Sequence, residues 1–570
     1  MSIVRPVVFG PTGGVTSSLD SSFGYDGGEG FSINIYVSTT GIATDPDAAD
    51  GSGGTGTFMS LATLQLAHDA GTITSPDVIG FAAGTYNSTI TKASAGTDAV
   101  LFPIAGVTYT NVPGDTVTIS IAGLTSTVGI AVRGNDIGNS IVRQHPDGGL
   151  FQITGDASAA LVDVRGAATV TSTPKFIDID VLQNKSATSA GDAYSCTAGR
   201  YEVEGGTVSN IIADNLAASS AQCFTAHTTG SYKVTGTVCD NFRFLITNID
   251  QTSSELNNVT ATNCHATMLP VSGTGAGSSD VINGCNLQMG PLITTGLMFS
   301  SGASNVGTCT INSSTLLLDG ITGNSLINGS GKYHMNNGTL TFSSATGRID
   351  TTSSNAELVC TGVDISWATS TVPSRQMQPS ASPKLRFERC SIDSSAIGSD
   401  FNMDLVRRAT NAVFAADSGF FACSFIGAYH SATINFTAAQ TAGVHPNFDF
   451  EQCTYVAAGT SRKLIDGTAT VGPRVTNCQF SDGVIAADTG TSADGLNNGY
   501  FGTAVAGAGM TDVDAVAVTT EGFADKAGGD YDIDLAISDL FEAGAGTPTI
   551  TDRENRAFKS PPAIGAYEGY

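Results

Sequence analysis

Apolar and polar residues alternate with a period of two through most of residues 200–490, and the alternation resets at short bends. A period of two predicts β-strands, and helical periodicity is almost absent from this region. One phrase recurs: apolar, any residue, apolar, two turn-forming residues, a small residue, any residue, apolar, as in residues 259–266. Asn and Gly are common at the bend, because they tolerate the left-handed backbone of a tight turn. The pattern predicts short strands joined by tight bends.

The phrase returns about every 27 residues, and the small residue after the bend marks each copy. A repeat of this length is typical of a solenoid, and one turn of a parallel β-helix with about three strands needs about this many residues. In our alignment the marker is Cys264, Cys285, Cys309, Cys390, Cys423, Cys453 or Cys478, and Gly206, Thr237, Gly338 or Val363 elsewhere. The sequence therefore predicts an all-β fold of the parallel β-helix type.

Two other folds fit the pattern less well. A leucine-rich repeat would show Leu at fixed places and a helical segment in each unit, and a β-sandwich would not repeat one phrase eleven times. In a β-helix, inward side chains stack on their counterparts one coil away. We expect Phe387, Phe420 and Phe450 to share one such column, with successive coils about 4.8 Å apart.

The two ends of the chain differ from the repeats. Residues 57–70 are predicted to form a helix, with Phe58, Leu61, Leu64 and Leu66 on its apolar face, and Gly71 can end it. Such a helix would cover the open end of a β-helix. The division predicted is an N-terminal arm or virion anchor at 1–35, the parallel β-helix at 36–490 and a small C-terminal cap domain at 491–570.

The run from Tyr36 through the predicted helix to the Gly-Thr-Tyr ending at Tyr86 resembles the start of right-handed parallel β-helix proteins of the pectate-lyase-like type. The closing segment, with Asp552, Arg553 and residues 564–568, resembles the end of many β-helix repeat proteins. The resemblance implies a right-handed coil of the kind found in bacteriophage tailspikes and virion spikes. It is poorly specific for function, because this fold hosts lyases, hydrolases, adhesins and virus spikes.

The net charge of the chain and its cysteines limit the classes of partner and the cellular compartment that are expected. The formal net charge of −26 opposes binding to nucleic acid. It also opposes docking on anionic lipid, and no apolar run is long enough for membrane insertion. The first residues lack the pattern of a secretory signal. The cysteines show no zinc spacing and are expected to be buried and reduced, which suggests assembly in a reducing cytosol.

Candidate chemistry is sparse. The best set of carboxylates is Glu388, Asp449 and Glu451 near Arg386, with Phe421 able to raise a carboxyl pKa by desolvation. Glu388 and Glu451 hold the same bend position two coils apart, hence about 10 Å apart, just beyond the separation of an inverting glycosidase. The other candidates are the pairs Asp178 and Asp180 and Glu202 and Glu204, the loop of Asp45, Asp47 and Asp50, and Trp367 as a platform for a sugar.

An outward polar column is also predicted, and it suits a solvated face, a carbohydrate-binding face or a polar subunit contact. Its members are His265, Asn286, Thr310, Thr339, Asp364, Ser391, Ser424, Thr454 and Gln479. No catalytic residue is assigned, and no cofactor or metal is expected.

Three functions remain open. The first is a bacteriophage virion protein (tailspike, fibre or capsid-surface spike) that binds host-surface glycan, forms a homo-oligomer, expected to be a trimer, and contacts other virion proteins through its N-terminal region. It would be assembled in the host cytoplasm. The second is a polysaccharide lyase or glycoside hydrolase. The third, a bacterial surface adhesin, needs an export route that the N-terminus does not show.

Overall fold

The chain folds as a parallel β-solenoid, in which each coil contributes up to three short strands. The computed structural model describes residues 31–566 apart from internal gaps. The gaps are 93–96, 125–126, 134–138, 156–159, 166–172, 185–189, 211–219, 243, 250–252, 265, 272–278, 290–298, 301–306, 319–326, 329–330, 344–348, 352–355, 369–374, 380–381, 398–403, 409–412, 428–431, 437–445, 457–461, 468–471, 482–483, 488–492, 520–522, 526–529, 534–542, 545–551, 553–556, 558–561 and 563.

The first face of the solenoid is the ladder of strands that precede the bend. In chain order these strands are Ile35–Val37, Val78–Phe81, Thr108–Asn111, Ile141–Arg143, Lys175–Ile177, the C-terminal parts of Ala190–Glu204 and Ser220–Thr235, Ser253–Asn257, Ser279–Asn283, Thr308–Asn312, Lys332–Asn336, Glu357–Thr361, Lys384–Glu388, Ser418–Phe421, Phe448–Glu451, Arg474–Thr476, Ala493–Leu496 and Met510–Val513. Each described strand pairs in parallel with the next.

The second face follows the bend. Its strands are Gly84–Tyr86, Thr116–Ser120, Leu150–Gly155, Asp180–Gln183, Thr207–Asn210, Val238–Asp240, Thr260–Cys264, Asn286–Met289, Thr315–Leu318, Thr339–Phe342, Asp364–Trp367, Ser391–Asp393, Ser424–Ile426, Thr454–Val456, Gln479–Phe480, Gly499–Phe501 and Val516–Val518. These strands also pair in parallel.

The third face closes each coil. Its strands are Ile90–Lys92, Thr97–Leu101, Thr127–Arg133, Ala160–Arg165, the N-terminal parts of Ala190–Glu204 and Ser220–Thr235, Phe244–Ile249, Ala266–Val271, Phe299–Ser300, Ile327–Asn328, Ile349–Thr351, Arg375–Pro379, Asp404–Arg408, Ala432–Phe436, Arg462–Gly467 and Val484–Ala487. Among the described strands only two pairs are antiparallel, Ile90–Lys92 with Thr97–Leu101 and Phe523–Asp525 with Asp530–Ile533.

The bend between the first and second faces is held by backbone geometry that repeats in every coil from Asp178 to Asp514. Its central residue has a positive φ near 48–68°. This residue is often Asn or Gly, as at Asn258 and Gly284, but Arg389 also holds the position. The amide of that residue donates to a carbonyl of the next coil, for example from Asn258 N to Asn283 O at 2.9 Å. The residue before it forms an amide ladder in four coils, where Asn283, Asn312 and Asn336 each donate to the preceding Asn at 2.9 Å. The bend therefore fixes the register between coils.

The core consists of stacked columns inside the coils. Phe387 stacks on Phe420 with ring centroids 4.8 Å apart, and Phe420 stacks on Phe450 at 5.6 Å. This confirms the predicted aromatic column. A similar stack joins Tyr201 and Tyr232 at 5.4 Å. Such contacts contribute beyond the burial of their apolar area.

The predicted cysteine column is only partly right. Asp280 aligns with Cys309 and Ile282 with Ile311, so Cys309 lies inside a first-face strand, four residues before the bend residue Ser313. Cys264 lies at the end of a second-face strand. Val259 and Ser314 fill the marker position in those two coils. The remaining five cysteines do share the column, because the site accepts any small or compact buried side chain.

The predicted helix is present over Leu61–Asp69, and Ser60 caps it by accepting from Thr63 N at 3.1 Å. Leu61, Leu64 and Ala67 join the main core, whereas Leu66 is 68% exposed and does not belong to the buried face. Phe58 precedes the helix in extended backbone. The role of this helix as a cap stays a prediction, as does the division into domains.

The solenoid ladders run past residue 490. Ala493–Leu496 pairs with Arg474–Thr476 on one side and with Met510–Val513 on the other. The parallel pairing therefore continues for two coils beyond residue 490. The described residues 564–566 then return to the second face, where Gly565 N donates to Asn477 O at 2.8 Å. No helix among the described residues is long and apolar enough to span a membrane.

Candidate functional site

The outer surface of the second face is polar and nearly uncharged over eight coils. The outward residue directly after the bend is Thr207, Val238, Thr260, Asn286, Thr315, Thr339, Asp364 and Ser391 in turn, and all are exposed or half-buried. The second-face strands of the described structure contain no Lys, Arg or His. We call these eight residues the neutral row. Hydroxyl and amide side chains both donate and accept hydrogen bonds.

The neutral row largely matches the predicted polar column, with two replacements. Thr260 and Thr315 stand where the sequence alignment placed His265 and Thr310, because Cys264 and Cys309 had been aligned out of register. His265 lies outside the described residues. Thr310 is on the first face, where it pairs with Val281 and His334. The positive-φ bend residues of these coils are Asn258 and Ser313. Asn258 is of a type that indicates a left-handed bend in the sequence, so it could have located Thr260, whereas Ser313 gives no such signal.

The last part of the same column is buried, and the C-terminal residues cover Thr454 and Gln479 within it. Ser424, Thr454 and Gln479 are buried. Ala566 N donates to Thr454 Oγ1 at 2.8 Å. Ile564 is also buried and packs in a small cluster with Val518. The surface available to a partner on this face therefore ends near Ser391.

The best carboxylate set lies on the first face, next to the bend. Glu388, Phe421 and Glu451 occupy one outward column in three successive coils, as predicted. Arg386 Nη2 lies 3.0 Å from Glu388 Oε2, and the Arg386 guanidinium stands 4.2 Å from the centre of the Phe421 ring. Such a cation over an aromatic face is a favourable contact. Arg386 and Phe421 therefore fill the space between the two glutamates.

The electrostatics of the two glutamates differ. Burial raises the pKa of the Glu451 carboxyl, and the nearby Asp449 adds to this rise. Glu388 instead forms ion pairs with Arg386 and, at 3.8 Å, with Arg389. Asp449 is paired with Arg474 at 3.2 Å. Glu451, whose carboxyl has a raised pKa, therefore lies two coils from Glu388, which pairs with two arginines.

The other predicted carboxylates have structural partners. Asp178 is the bend residue of its coil and not a strand residue, and burial raises its pKa. Asp180 accepts from Thr207 N at 3.0 Å and Thr207 Oγ1 at 2.7 Å. Glu202 and Glu204 point outward from the first face, and Lys175 lies within 3.7 Å of both. These contacts tie neighbouring coils together.

The acidic loop binds its own backbone. Asp45 caps the short helix Pro46–Ala48 by accepting from Asp47 N at 3.1 Å, and Asp50 accepts from Ser52 N at 2.9 Å. Within the described part of the chain, no group of three or more His, Cys, Asp or Glu side chains could hold a metal ion. These residues therefore have a structural use in the loop.

Neither the cysteines nor the single tryptophan offers reactive or binding surface. All eleven cysteines are free thiols and buried. Burial raises the pKa of the Cys285 thiol to about 11 and that of Cys196 to about 12, so neither is a thiolate at neutral pH. Trp367 is 3% exposed and stacks on Phe342 inside the coil at 5.6 Å. The expectation that Trp367 could hold a sugar is wrong.

Two groups of coils on the first face differ in their balance of charge. The balanced segment contains Lys175, Arg200, Lys233, Glu202, Glu204 and Glu255, three basic and three acidic residues. Its ion pairs include Lys175 with Glu202 at 3.2 Å and Lys233 with Glu255 at 3.5 Å. The cation-rich segment contains Lys332, Lys384, Arg386, Arg389 and His334 with only Glu357 and Glu388. The second group therefore has an excess of positive charge in a chain of net charge −26.

Comparisons with known proteins are limited. No protein-family model and no curated protein matches the chain. Among solved structures, a crystal structure of the pectate lyase Pel9A matches with 12% identity and a TM-score of 0.23, covering 95% of this chain and 98% of that one. A score this low transfers no residue or mechanism. The register of the strands itself establishes that the chain is a parallel β-solenoid of the β-helix type.

Proposed function

We propose that this chain is a bacteriophage virion spike, a tailspike, fibre or capsid-surface protein, which binds host-surface glycan through the neutral row. The observation that carries the proposal is the row itself: eight successive coils present mostly hydroxyl and amide groups with no basic side chain. Sugar hydroxyls both donate and accept hydrogen bonds, so such a surface suits them. The coil spacing of about 4.8 Å also repeats along the row, which favours an extended, repetitive ligand over a compact one.

The cysteines support the part of the proposal that concerns assembly. All eleven are buried as free thiols, which fits folding in a reducing cytoplasm. A virion protein folds in the host cytoplasm and acts outside the cell after lysis. The proposal includes a homo-oligomer, expected to be a trimer. It would be contradicted by a purified protein that is monomeric and missing from any particle fraction.

Glycan binding is tested with variants on two faces of the same coils. Asn286→Ala with Thr315→Ala removes two exposed polar groups from the neutral row. Thr308→Ala with Thr310→Ala is the matched control, because both residues point outward from the first face. Immobilised host capsule or lipopolysaccharide should retain the wild type and the control, and the neutral-row variant should bind about tenfold more weakly. Equal binding by both variants would remove the neutral row from the proposal.

A polysaccharide-cleaving enzyme is the second candidate. The observation that favours it is the carboxyl pair of the first face: burial raises the pKa of Glu451, as a general acid requires, and Glu388 lies two coils away beside Arg386. Incubation with host glycan should then release new reducing ends or unsaturated uronates, and Glu451→Gln should abolish the release. No product from the wild type would remove this candidate and leave the binding proposal intact.

A further inference from the structure

The cation-rich segment is a concentration of positive charge that nothing above explains. Its basic residues come from the strands Lys332–Asn336 and Lys384–Glu388 and from Arg389 in the bend that follows, and the strand between them, Glu357–Thr361, supplies a carboxylate and no basic residue. The chain has 25 basic residues in 570, so four in three adjacent coils of one face is a marked local enrichment. The two acidic residues among them do not neutralise the four.

The contacts within the segment hold these cations in one place. Glu357 lies 3.6 Å from Lys332, 3.5 Å from His334 and 3.8 Å from Lys384. Glu388 pairs in the same way with Arg386 and Arg389. Glu357 therefore gathers basic side chains from the two neighbouring coils, and Glu388 pairs with the arginines of its own coil. The gathered group keeps a positive excess and is oriented before any ligand arrives.

The surface remains open enough for a ligand. The side chain of Lys332 is 44% exposed and that of Lys384 is 29% exposed. The coils on either side are neutral outside: Thr308 and Thr310 precede the segment, and Gly419 and Phe421 follow it. The cations therefore form a bounded patch and not part of a long charged ladder.

We propose that the cation-rich segment binds the anionic groups of an acidic glycan, carboxylate or sulfate. The inference rests on the proposed function and deepens it by naming the charge class of the ligand and a second contact surface. Arg and Lys are the side chains that recognise such anions, and Arg does so with a planar fork of donors. The net charge of −26 repels a polyanion at long range. Binding at this patch is therefore expected to depend strongly on orientation and salt.

The balanced segment provides a matched control. Lys332→Gln with Lys384→Gln removes two positive charges from the patch, and Lys175→Gln with Lys233→Gln removes two from the same face. Both variants change the net charge of the chain equally. Any difference between them therefore reports the position of the charge and not its total.

The experiment uses the full chain on surfaces of dextran, carboxymethyl-dextran and dextran sulfate, which share one backbone. The wild type and the balanced-segment variant should bind one or both charged surfaces, more weakly as salt rises from about 0.05 M to about 0.5 M. The Lys332 and Lys384 variant should bind about tenfold more weakly. The two charged surfaces distinguish carboxylate from sulfate.

The outcomes separate this inference from the proposed function. If the chain ignores both charged dextrans, or if the patch variant binds them as the wild type does, the inference is overturned. Retention of the wild type on host glycan in the same series would still leave the proposed function standing. Failure to bind host glycan would remove the proposed function instead, even if charged dextran were bound. Circular dichroism of both variants checks that the coils remain folded.

Discussion

The balanced and cation-rich segments of the first face share one backbone and differ in what they present outside. In both, strands of similar length pair in parallel and alternate inward and outward residues. In the balanced segment, Lys233 lies between Glu202 and Glu255 in one outward column. In the cation-rich segment, the corresponding residues are His334, Val359 and Arg386. The coil therefore tolerates different surfaces because its stability lies mainly inside and at the bend.

The difference teaches how a solenoid separates structure from function. Ion pairs on an exposed face contribute little to stability, at most about 1 kcal/mol each. Inward columns and bend hydrogen bonds recur in coils of either segment and keep the register. Outward residues are then free to vary from coil to coil. This contrast can be tested at three levels.

The largest effect is expected from the core. Phe420→Ala removes a ring stacked between Phe387 and Phe450 and should lower the free energy of unfolding by about 3–5 kcal/mol. Lys175→Gln with Lys233→Gln should cost less than about 2 kcal/mol in the same urea titrations. Comparable losses of unfolding free energy in the two variants would contradict the idea that the interior, and not the ion pairs of the outer surface, stabilises the coils.

A smaller effect is expected at the bend between the two segments. Asn312 donates to Asn283 and accepts from Asn336, each at 2.9 Å. Asn312→Ala breaks both bonds and should cost about 1–2 kcal/mol. Hydrogen exchange should quicken at the amide of Gly284, which donates to Asn312 O. Unchanged protection there, with Thr308→Ala as the reference, would show that the amide ladder is dispensable.

The smallest effects are expected in the pH dependence of stability, at two glutamates of the first face, Glu255 and Glu451. The hydrogen bond from Asn257, with help from Lys233, lowers the pKa of Glu255 below its ordinary 4.5, so its stabilisation is present above pH 4.5 and is lost as pH falls through the lowered pKa. Burial raises the pKa of Glu451 above 4.5, so its contribution is present below pH 4.5 and is lost as pH rises through the raised pKa.

Glu255→Gln and Glu451→Gln should therefore alter the pH dependence of unfolding in opposite directions. Urea titrations between about pH 3 and pH 8 measure both. Glu255→Gln should remove part of the stability loss that occurs as pH falls. Glu451→Gln should remove part of the stability loss that occurs as pH rises. A shift of the same sign in the two variants would contradict the assigned environments.

Much of this architecture could be predicted from the sequence, because the coil pattern is local. The alternation of period two marks which residues face inward, and this placed Phe387, Phe420 and Phe450 in one column correctly. It also placed Glu388, Phe421 and Glu451 in successive coils. These coils share aromatic residues and similar strand lengths, so their alignment has little freedom.

The errors came from using cysteine as the marker of register. A buried thiol fits the bend column, an inward strand position and a strand end equally well, as Cys285, Cys309 and Cys264 show. The side chain itself therefore does not specify its place. The positive-φ bend residue specifies it better, but Ser313, Arg389 and Ala422 at that place give no signal in the sequence.

What the sequence determined by itself is the repeat, the strand-rich coil, the aromatic column and the reduced state expected of compact buried thiols, all of which follow from local alternation and side-chain size. The tertiary structure decided which surfaces exist. It placed Trp367 inside, covered Thr454 and Gln479 with the C-terminal residues, and brought Lys332 and Lys384 to one carboxylate. The physical reason is that these contacts join residues at least a coil apart, and only the stacking of coils sets which of them meet.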